Sequence, residues 1–502
     1  MAIKRYKATA DNTIANGFKE SLTVRATGSN MGQADVSEIY SIYGRETSTS
    51  SELSRIISQF DVTSISSDRT AGTIPAAGKV SFYLRLFNAE TTKTVPKNFT
   101  LVVEAVSKEW DEGDGLDLEN YKDLGESNWV FASKDNAWTS TGGDYHDTPS
   151  FEQTFETGLE DLEVDITSLV EQWVDGTKVN YGVGIRLTSS QEATSSTNLA
   201  GTTSSYYTKR FFARGTQYYF KKPVIEARWN SSIQDDRGTF NYSSSLAPSD
   251  ENMNTLYMYN YVRGTLRNIP DVGTGNIYVR IFSGSLDDSV PSGSALELVV
   301  DGNSVTDSSR NTVITGGHLS TGIYTCSVSL TSAKTPLSTL YDVWYSADSS
   351  NIQYFTGTIK PDKLEASSVS TNNYRQIINI KNLRSKYFSD EEARFNIYVR
   401  NKNWSPTIYT VASTEIENNI IPSASFRIYR VLDGFNAIPH GTGSDLQTAL
   451  SYDVSGNYFN FDMSLLEPGY EYGIKLAFYD SQRQSWIEQD QKFLFRVEDY
   501  EY

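Results

Sequence analysis

Cysteine is almost absent: Cys326 stands alone among 502 residues, so no intrachain disulfide can form. A large extracellular animal protein would normally carry several, and a chain without them fits folding in a reducing cytoplasm. Histidine occurs three times, as His146, His318 and His440. They are far apart and each is in a turn-like context, which argues against a multi-histidine metal centre. Long apolar runs are also missing. No window approaches the roughly 20 apolar residues needed to span a bilayer, and Met1 to Tyr6 leads into polar sequence without a secretory h-region. The expectation is a protein that does not insert into membranes. Positive charge is short as well, with 44 Lys and Arg against 62 Asp and Glu, a net charge of −18. Such a surface repels phosphate backbones and disfavours direct nucleic-acid binding.

What is abundant points to strands. Aromatics make up 13% of the chain, including 32 Tyr, and Ser, Thr and Val are common. Short alternating runs recur, at Val80–Phe87, Asn276–Phe282, Phe395–Arg400 and Phe426–Val431, each flanked by turn residues. The fold class expected is all-β, with three tandem β-sandwiches: a jelly-roll-like N-terminal domain, then two immunoglobulin- or fibronectin III-like domains. The boundaries follow composition. Residues 1–230 end on the strand-like Pro223–Trp229, residues 231–362 form a middle domain, and a Ser/Thr/Asn-rich linker (Lys363–Asn373) precedes a last domain over 374–502. One helix is predicted over about 165–176, with Asp165 as N-cap, Gly176 as stop, and Ile166, Leu169, Val170 and Trp173 on one face. It reads as a plug for one end of a sandwich. Residues 189–205 read as a Ser/Thr/Gly-rich insertion loop.

Two strand signatures are more specific. Gly322-Ile323-Tyr324-Thr325-Cys326 looks like strand F of an immunoglobulin domain without its disulfide partner. Leu466-Glu467-Pro468-Gly469-Tyr470-Glu471-Tyr472 resembles the tyrosine corner of fibronectin III-type sandwiches, in which the Tyr hydroxyl bonds back to the backbone just upstream.

Candidate chemistry is sparse. Gly72 to Val80 has the wrong glycine spacing for a phosphate loop, and Val80 stands where Ser or Thr would hold magnesium. The acidic stretch Asp111-Glu112-Gly113-Asp114-Gly115-Leu116-Asp117 is the best cation candidate, with Asp123 and Asp144 further along the same segment. Calcium takes six to eight hard oxygens, which flexible acidic loops supply. The competing reading is a solvated acidic loop. Trp129 and Trp138 are candidates for stacking on a glycan, and the competing reading puts them in the core. Carboxylate pairs in the acidic loop could in principle hydrolyse a glycoside, but hydrolysis needs one carboxyl of raised pKa facing another across a cleft. The basic residues Lys209, Arg210, Arg214, Lys221 and Lys222 are interleaved with Tyr206, Tyr207, Phe211, Phe212, Tyr218, Tyr219 and Phe220. That pattern suits base stacking or plain strand alternation. No catalytic residue is predicted, and no cofactor is required.

Four stretches of the first 230 or so residues resemble the DNRLRE-type β-sandwich domain of bacterial surface proteins, carbohydrate-active enzymes and some phage virion proteins. They are Ala10–Ile14 with Asn30–Gly32, Ser54–Val62, Trp110–Gly115 followed by Trp129, Trp138 and Gly142–Asp144, and the helix with Gly182–Ile185, closing through Phe211–Ala213 to Pro223–Ile225. The family's usual Ser and acidic residue after the late Phe are replaced by Ala213 and Arg214. Taken whole, the chain resembles virion structural proteins of tailed phages, particularly those infecting marine cyanobacteria. Met1–Tyr6 through Asn30–Gly32, Phe151–Leu162 and Pro406–Glu415 carry that likeness. The resemblance implies a non-enzymatic virion protein at the neck, tail or capsid surface, assembled in the bacterial host cytoplasm. It would be multimeric, with other virion proteins as partners. The alternative is a carbohydrate-binding adhesin that recognises host-surface polysaccharide.

Overall fold

The computed structural model describes the chain apart from residues 1, 93, 117–124, 245–246, 286, 300–310, 332–336, 347–351, 362–375, 403, 405–407, 409–417, 482 and 500–502. Asp117, Asp123, the linker Lys363–Asn373 and most of Pro406–Glu415 therefore lie outside the described residues. The fold is all-β, as composition and alternation predict. It forms two compact units, one of Ala2–Asn230 with Gly443–Gln447, the other of Ser231–Thr442 with Thr448–Tyr502. No helix among the described residues is long and apolar enough to cross a membrane.

Among the described residues the first unit contains twelve strands: β1 (Ile3–Ala15), β2 (Val36–Tyr43), β3 (Ser51–Phe60), β4 (Ser81–Leu86), β5 (Phe99–Val106), β6 (Phe131–Ser133), β7 (Asn136–Ala137), β8 (Tyr145–Phe155), β9 (Leu162–Asp165), β10 (Val183–Leu187), β11 (Tyr206–Phe212) and β12 (Val224–Arg228). Ten of them form one antiparallel sheet in the order β8-β5-β10-β3-β1-β12-β4-β9, with β2 and β11 branching from β3. Strand β1 is long enough to serve two layers. Its first half pairs with β12, its second half pairs with β3, and the register shifts between Ala8 and Ala10. A bulge there bends the strand, so one sheet folds over on itself and encloses a core. Phe60, Phe82, Leu84, Phe99, Leu101, Val103 and Ile185 fill it, all 1% exposed or less.

The predicted helix is present as α2 (Thr167–Val174). Leu169, Val170 and Trp173 are buried in the main core, as expected of a plug. The capping differs by one residue. Asp165 ends β9, and its Oδ1 accepts from Thr167 N at 2.9 Å, while Ile166 occupies the cap position itself. A second helix, α1 (Val62–Thr70), was not legible, because its Ser- and Thr-rich sequence buries only Ile65 and carries no amphipathic period. Local capping starts it. Asp61 accepts from Thr63 N at 2.9 Å and from the Ser64 hydroxyl at 2.6 Å. Arg69 of α1 makes a two-pronged ion pair with Glu171 of α2, with both contacts at 2.7 Å.

In the second unit a seven-stranded antiparallel sheet runs over residues 254–359, with Tyr324, Trp344 and Cys326 buried inside it. Residues 376–498 build a four-stranded and a six-stranded sheet. Aromatic side chains carry that core, where Phe426 stacks on Phe459 at 4.1 Å and Phe459 on Phe395 at 4.9 Å. The predicted tyrosine corner is formed: the Tyr472 hydroxyl donates to Glu467 O at 2.7 Å. In the sheet over 254–359, Tyr324 plays a comparable part, donating to Gly273 O at 2.7 Å and accepting from Ile269 N at 3.0 Å.

The segment Ile233–Gly238 ties the seven-stranded sheet to the sheets that follow. Tyr452 N donates to Ile233 O at 2.9 Å and Asp235 N to Tyr452 O at 3.0 Å. The Tyr452 hydroxyl reaches Asp236 at 2.7 Å. The next residue, Arg237, is 8% exposed at its side chain and pairs with Asp342 at 2.6 Å and with Asp235. The strap thus joins the stretches 231–362 and 374–502 within the second unit.

Candidate functional site

Strand β3 presents adjacent residues to opposite faces. Ile56 enters the main core, and Ile57 points outward. That outer face would be wet, but the excursion between β5 and β8 folds over it. Trp110, Trp129 and Trp138 pack there on Ile14, Ile57 and Val106 as a second apolar cluster. The indole N–H groups are satisfied: Trp110 donates to Tyr181 O and Trp138 to Asn128 O, each at 2.8 Å. Trp129 is 6% and Trp138 5% exposed, so the faces proposed for glycan stacking are largely covered by protein. The terminal ring atoms of Trp129 press on Gly142, whose φ of +92° and lack of a side chain allow the approach.

Beside this cluster lies a cleft of about 1150 Å³. Trp129 and Tyr145 are its aromatic residues, and Arg55 bridges them, its guanidinium 5.3 Å from the Trp129 ring and 5.8 Å from the Tyr145 ring. Arg55 forms a two-pronged bond to Glu192, at 3.0 and 2.9 Å, and donates to Gly142 O at 3.0 Å. Arg186 pairs with Glu104 at 2.7 Å. The Tyr145 hydroxyl donates to Gly142 O at 2.8 Å, and burial pushes its pKa up against the pull of Arg55 and Arg186. The insertion loop 189–205 supplies Glu192 and one wall of hydroxyls and amides, Ser195 to Asn198. It is held by Ala193 N donating to the Ser41 hydroxyl at 2.7 Å and by Thr202 N donating to Glu192 O at 3.0 Å.

The acidic residues singled out from sequence are placed apart in role. Both carboxylate oxygens of Asp144 take backbone N–H groups, from Thr139 and Ser140 at 2.8 Å, so this side chain caps a turn at the cleft margin. Asp111 and Asp114 are exposed on the loop after Trp110. Among the described residues no three His, Cys, Asp or Glu side chains gather into a metal-holding group.

The more unusual acid in this region is Asp11. It is 1% exposed, and its pKa is pushed up to about 7, by burial first and by Glu112 further, against the bonds from Arg214. Its Oδ2 accepts from Arg214 N, while Oδ1 is buried without a partner among the described residues. Glu112 accepts from Asp11 N at 2.9 Å and takes the Arg214 guanidinium at 3.0 and 2.7 Å. Arg214, which stands where the family resemblance led one to expect an acid, thus closes a network between β1, the acidic loop and the end of β11. The signal for Asp11 was present in Ala10–Ile14, but its burial depends on residues 100 and 200 positions away.

Of the basic and aromatic run, Lys209 is buried and donates to Asn88 Oδ1 at 2.6 Å, Gly158 O at 3.0 Å and Glu160 O at 2.8 Å. Desolvation lowers its pKa to about 8. Arg210 pairs with Glu38 and Arg214 with Glu112, both at 2.7 Å. His318 and His440 are held by Asn268 and Ser425 respectively, each at 3.1 Å. No family model matches the chain, and no curated protein matches it.

Proposed function

We propose that the chain is a non-enzymatic structural protein of a virion, at the neck, tail or capsid surface, present in many copies and assembled in the host cytoplasm. The observation that carries this reading is the state of the carboxylates around the cleft. Glu104 and Glu192 are tied to Arg186 and Arg55, and Asp144 to two backbone amides. A carboxylate committed in this way is oriented by its partners for structure, whereas hydrolysis needs two carboxyl groups facing each other across a cleft and free to act on a bond between them. Tandem antiparallel sandwiches cross-tied by buried ion pairs suit a part that bears load in an assembly. The test is electron cryo-microscopy of intact particles from a host culture expressing this gene. Ordered density for the described strands in a symmetric ring or lattice is expected. Particles lacking the chain altogether overturn the reading.

The cleft favours a second reading, a carbohydrate-binding surface on the same protein. Hydroxyls and amides along Ser195–Asn198 offer bonds to sugar hydroxyls, with the margins of Trp129 and Tyr145 as apolar floor. Replacing Trp129 is a poor test, since it would open a hole in the apolar cluster. Thr197→Trp instead narrows the exposed rim. Retention of host polysaccharide by the native chain and its loss in T197W, at unchanged thermal stability, is the outcome this reading expects. No retention by the native chain removes it.

A further inference from the structure

The basic and aromatic run of the sequence is divided by the fold. Lys209 is buried, and Arg210 and Arg214 are spent on Glu38 and Glu112. What remains outward is a smaller platform on the first unit. Lys7 of β1 stands opposite Val224 of β12, and Lys222 lies two residues before that partner. The two lysines are therefore near neighbours. The Lys7 ammonium sits 4.5 Å from the centre of the Tyr219 ring. Tyr218, 54% exposed, packs edge-on against Phe212 at 5.3 Å beside them.

This charge is uncompensated. Neither Lys7 nor Lys222 has a carboxylate within ion-pair distance among the described residues. Burial first, and then the nearby charges of Lys222 and Arg5, lower the pKa of Lys7. An exposed Tyr beside two cations, one of them held against an aromatic ring, suits a partner that supplies the missing anions.

We propose that the Lys7–Lys222–Tyr218 platform docks onto the acidic face of a second copy of this chain, at Glu152 of β8 and Glu156 just beyond it. This inference rests on the many-copy structural reading above. Charge complementarity selects the partner: the chain carries 62 acidic against 44 basic residues, so a neighbouring copy presents an excess of carboxylates. Glu152 and Glu156 are exposed and have no ion-pair partner among the described residues, and Leu159, three residues after Glu156, is 57% exposed. One face therefore offers cations and an aromatic ring, and the other offers anions and an aliphatic side chain. Because the two faces differ, the contact is head-to-tail, and repetition gives rings or filaments.

The experiment is sedimentation of the full chain at about 0.05 M and about 0.5 M salt, between which screening of exposed charges rises several-fold. The native chain should sediment as a multimer at low salt and shift toward monomer at high salt. Lys7→Glu with Lys222→Glu should weaken self-association about tenfold or more, and adding Glu152→Lys with Glu156→Lys to the same chain should restore it. Circular dichroism should be unchanged, and any fall in melting temperature from losing the Lys7–Tyr219 contact should be shared by the two-site and four-site variants, so it does not account for a loss and rescue of association. A K7E/K222E chain that associates like the native one, or a native chain monomeric at both salts, overturns the proposal. So does a native chain that binds labelled single-stranded DNA through Lys7 and Lys222 while its mass is indifferent to their reversal. Normal assembly after charge reversal leaves the many-copy reading standing without this face. Charge-dependent association of a chain absent from particles does the reverse.

Discussion

Gln153 and Glu163 close the N-terminal sandwich. The Gln153 side chain accepts from Glu163 N and donates to Asp161 O, both at 2.7 Å, and so joins β8 and β9, the two ends of the folded sheet, where no ladder connects them. A side-chain amide has one donor end and one acceptor end, as a peptide group does, and here it does the work of a missing strand pair.

Gln153→Ala removes both bonds and should destabilise the first unit by about 1–3 kcal/mol. Gln153→Glu should cost at least as much, because it keeps an acceptor for Glu163 N but sets a carboxylate against Asp161 O. Urea denaturation followed by tryptophan fluorescence reads the change, since Trp110, Trp129, Trp138 and Trp173 all belong to this unit.

Asp11 makes the stability of the first unit depend on pH. Its pKa stands near 7 in the folded chain against an ordinary value of 3.8. The raised value means that folding favours the protonated acid. The contribution is complete below about pH 4 and is lost as pH rises through 7, with a slope of up to about 1.4 kcal/mol per pH unit. Asp11→Asn should flatten the denaturation midpoint measured between pH 5 and pH 8. A native midpoint that does not fall over that range counts against a protonated Asp11.

Arg237 and Asp342 form a buried pair that also takes the indole N–H of Trp344. Asp342→Ala leaves the buried guanidinium with Asp235 alone and the Trp344 indole N–H without its acceptor, and should cost about 3–5 kcal/mol. Arg237→Ala leaves Asp342 and Asp235 without their common cation and should cost a similar amount. Limited proteolysis should then cut within 231–238 faster than in the native chain, because the strap is anchored through Arg237.

Tyr472→Phe deletes one buried hydrogen bond, to Glu467 O, and leaves the ring in place. A loss of about 0.5–1.5 kcal/mol is expected, with the strand order unchanged. A heat-denaturation shift in that range, with native circular dichroism, would match.

The readable part of this protein is the part written in neighbouring residues. Alternation at 80–87, 276–282, 395–400 and 426–431 marks strands, because side chains on a pleated backbone point to alternate faces. Leu466–Tyr472 marks its own hydrogen bond, because donor and acceptor are five residues apart. Helix α2 shows its apolar stripe, while α1, with one buried residue, shows nothing a period could reveal. At the cleft, Trp129 and Asp144 attracted attention through residue type. Arg55 and Glu192, 137 positions apart, did not, since only the folded sheet brings them together. The burial of Trp129 and Trp138 was likewise open until the excursion after β5 was seen to lie on the outer face of β3.

The sequence by itself determined the all-β class, the positions of its most regularly alternating strands and of helix α2, and the tyrosine corner, because these depend on backbone periodicity and contacts a few residues long. Tertiary structure decided which charges are free and which are spent. Lys209 became a core residue, Arg214 a partner of Glu112, and Asp11 an acid near pKa 7, while Lys7 and Lys222 kept an outward charge. The reason is physical: a charge takes its energy from its surroundings within a few ångströms, and in a sandwich those surroundings come from strands far apart in the chain.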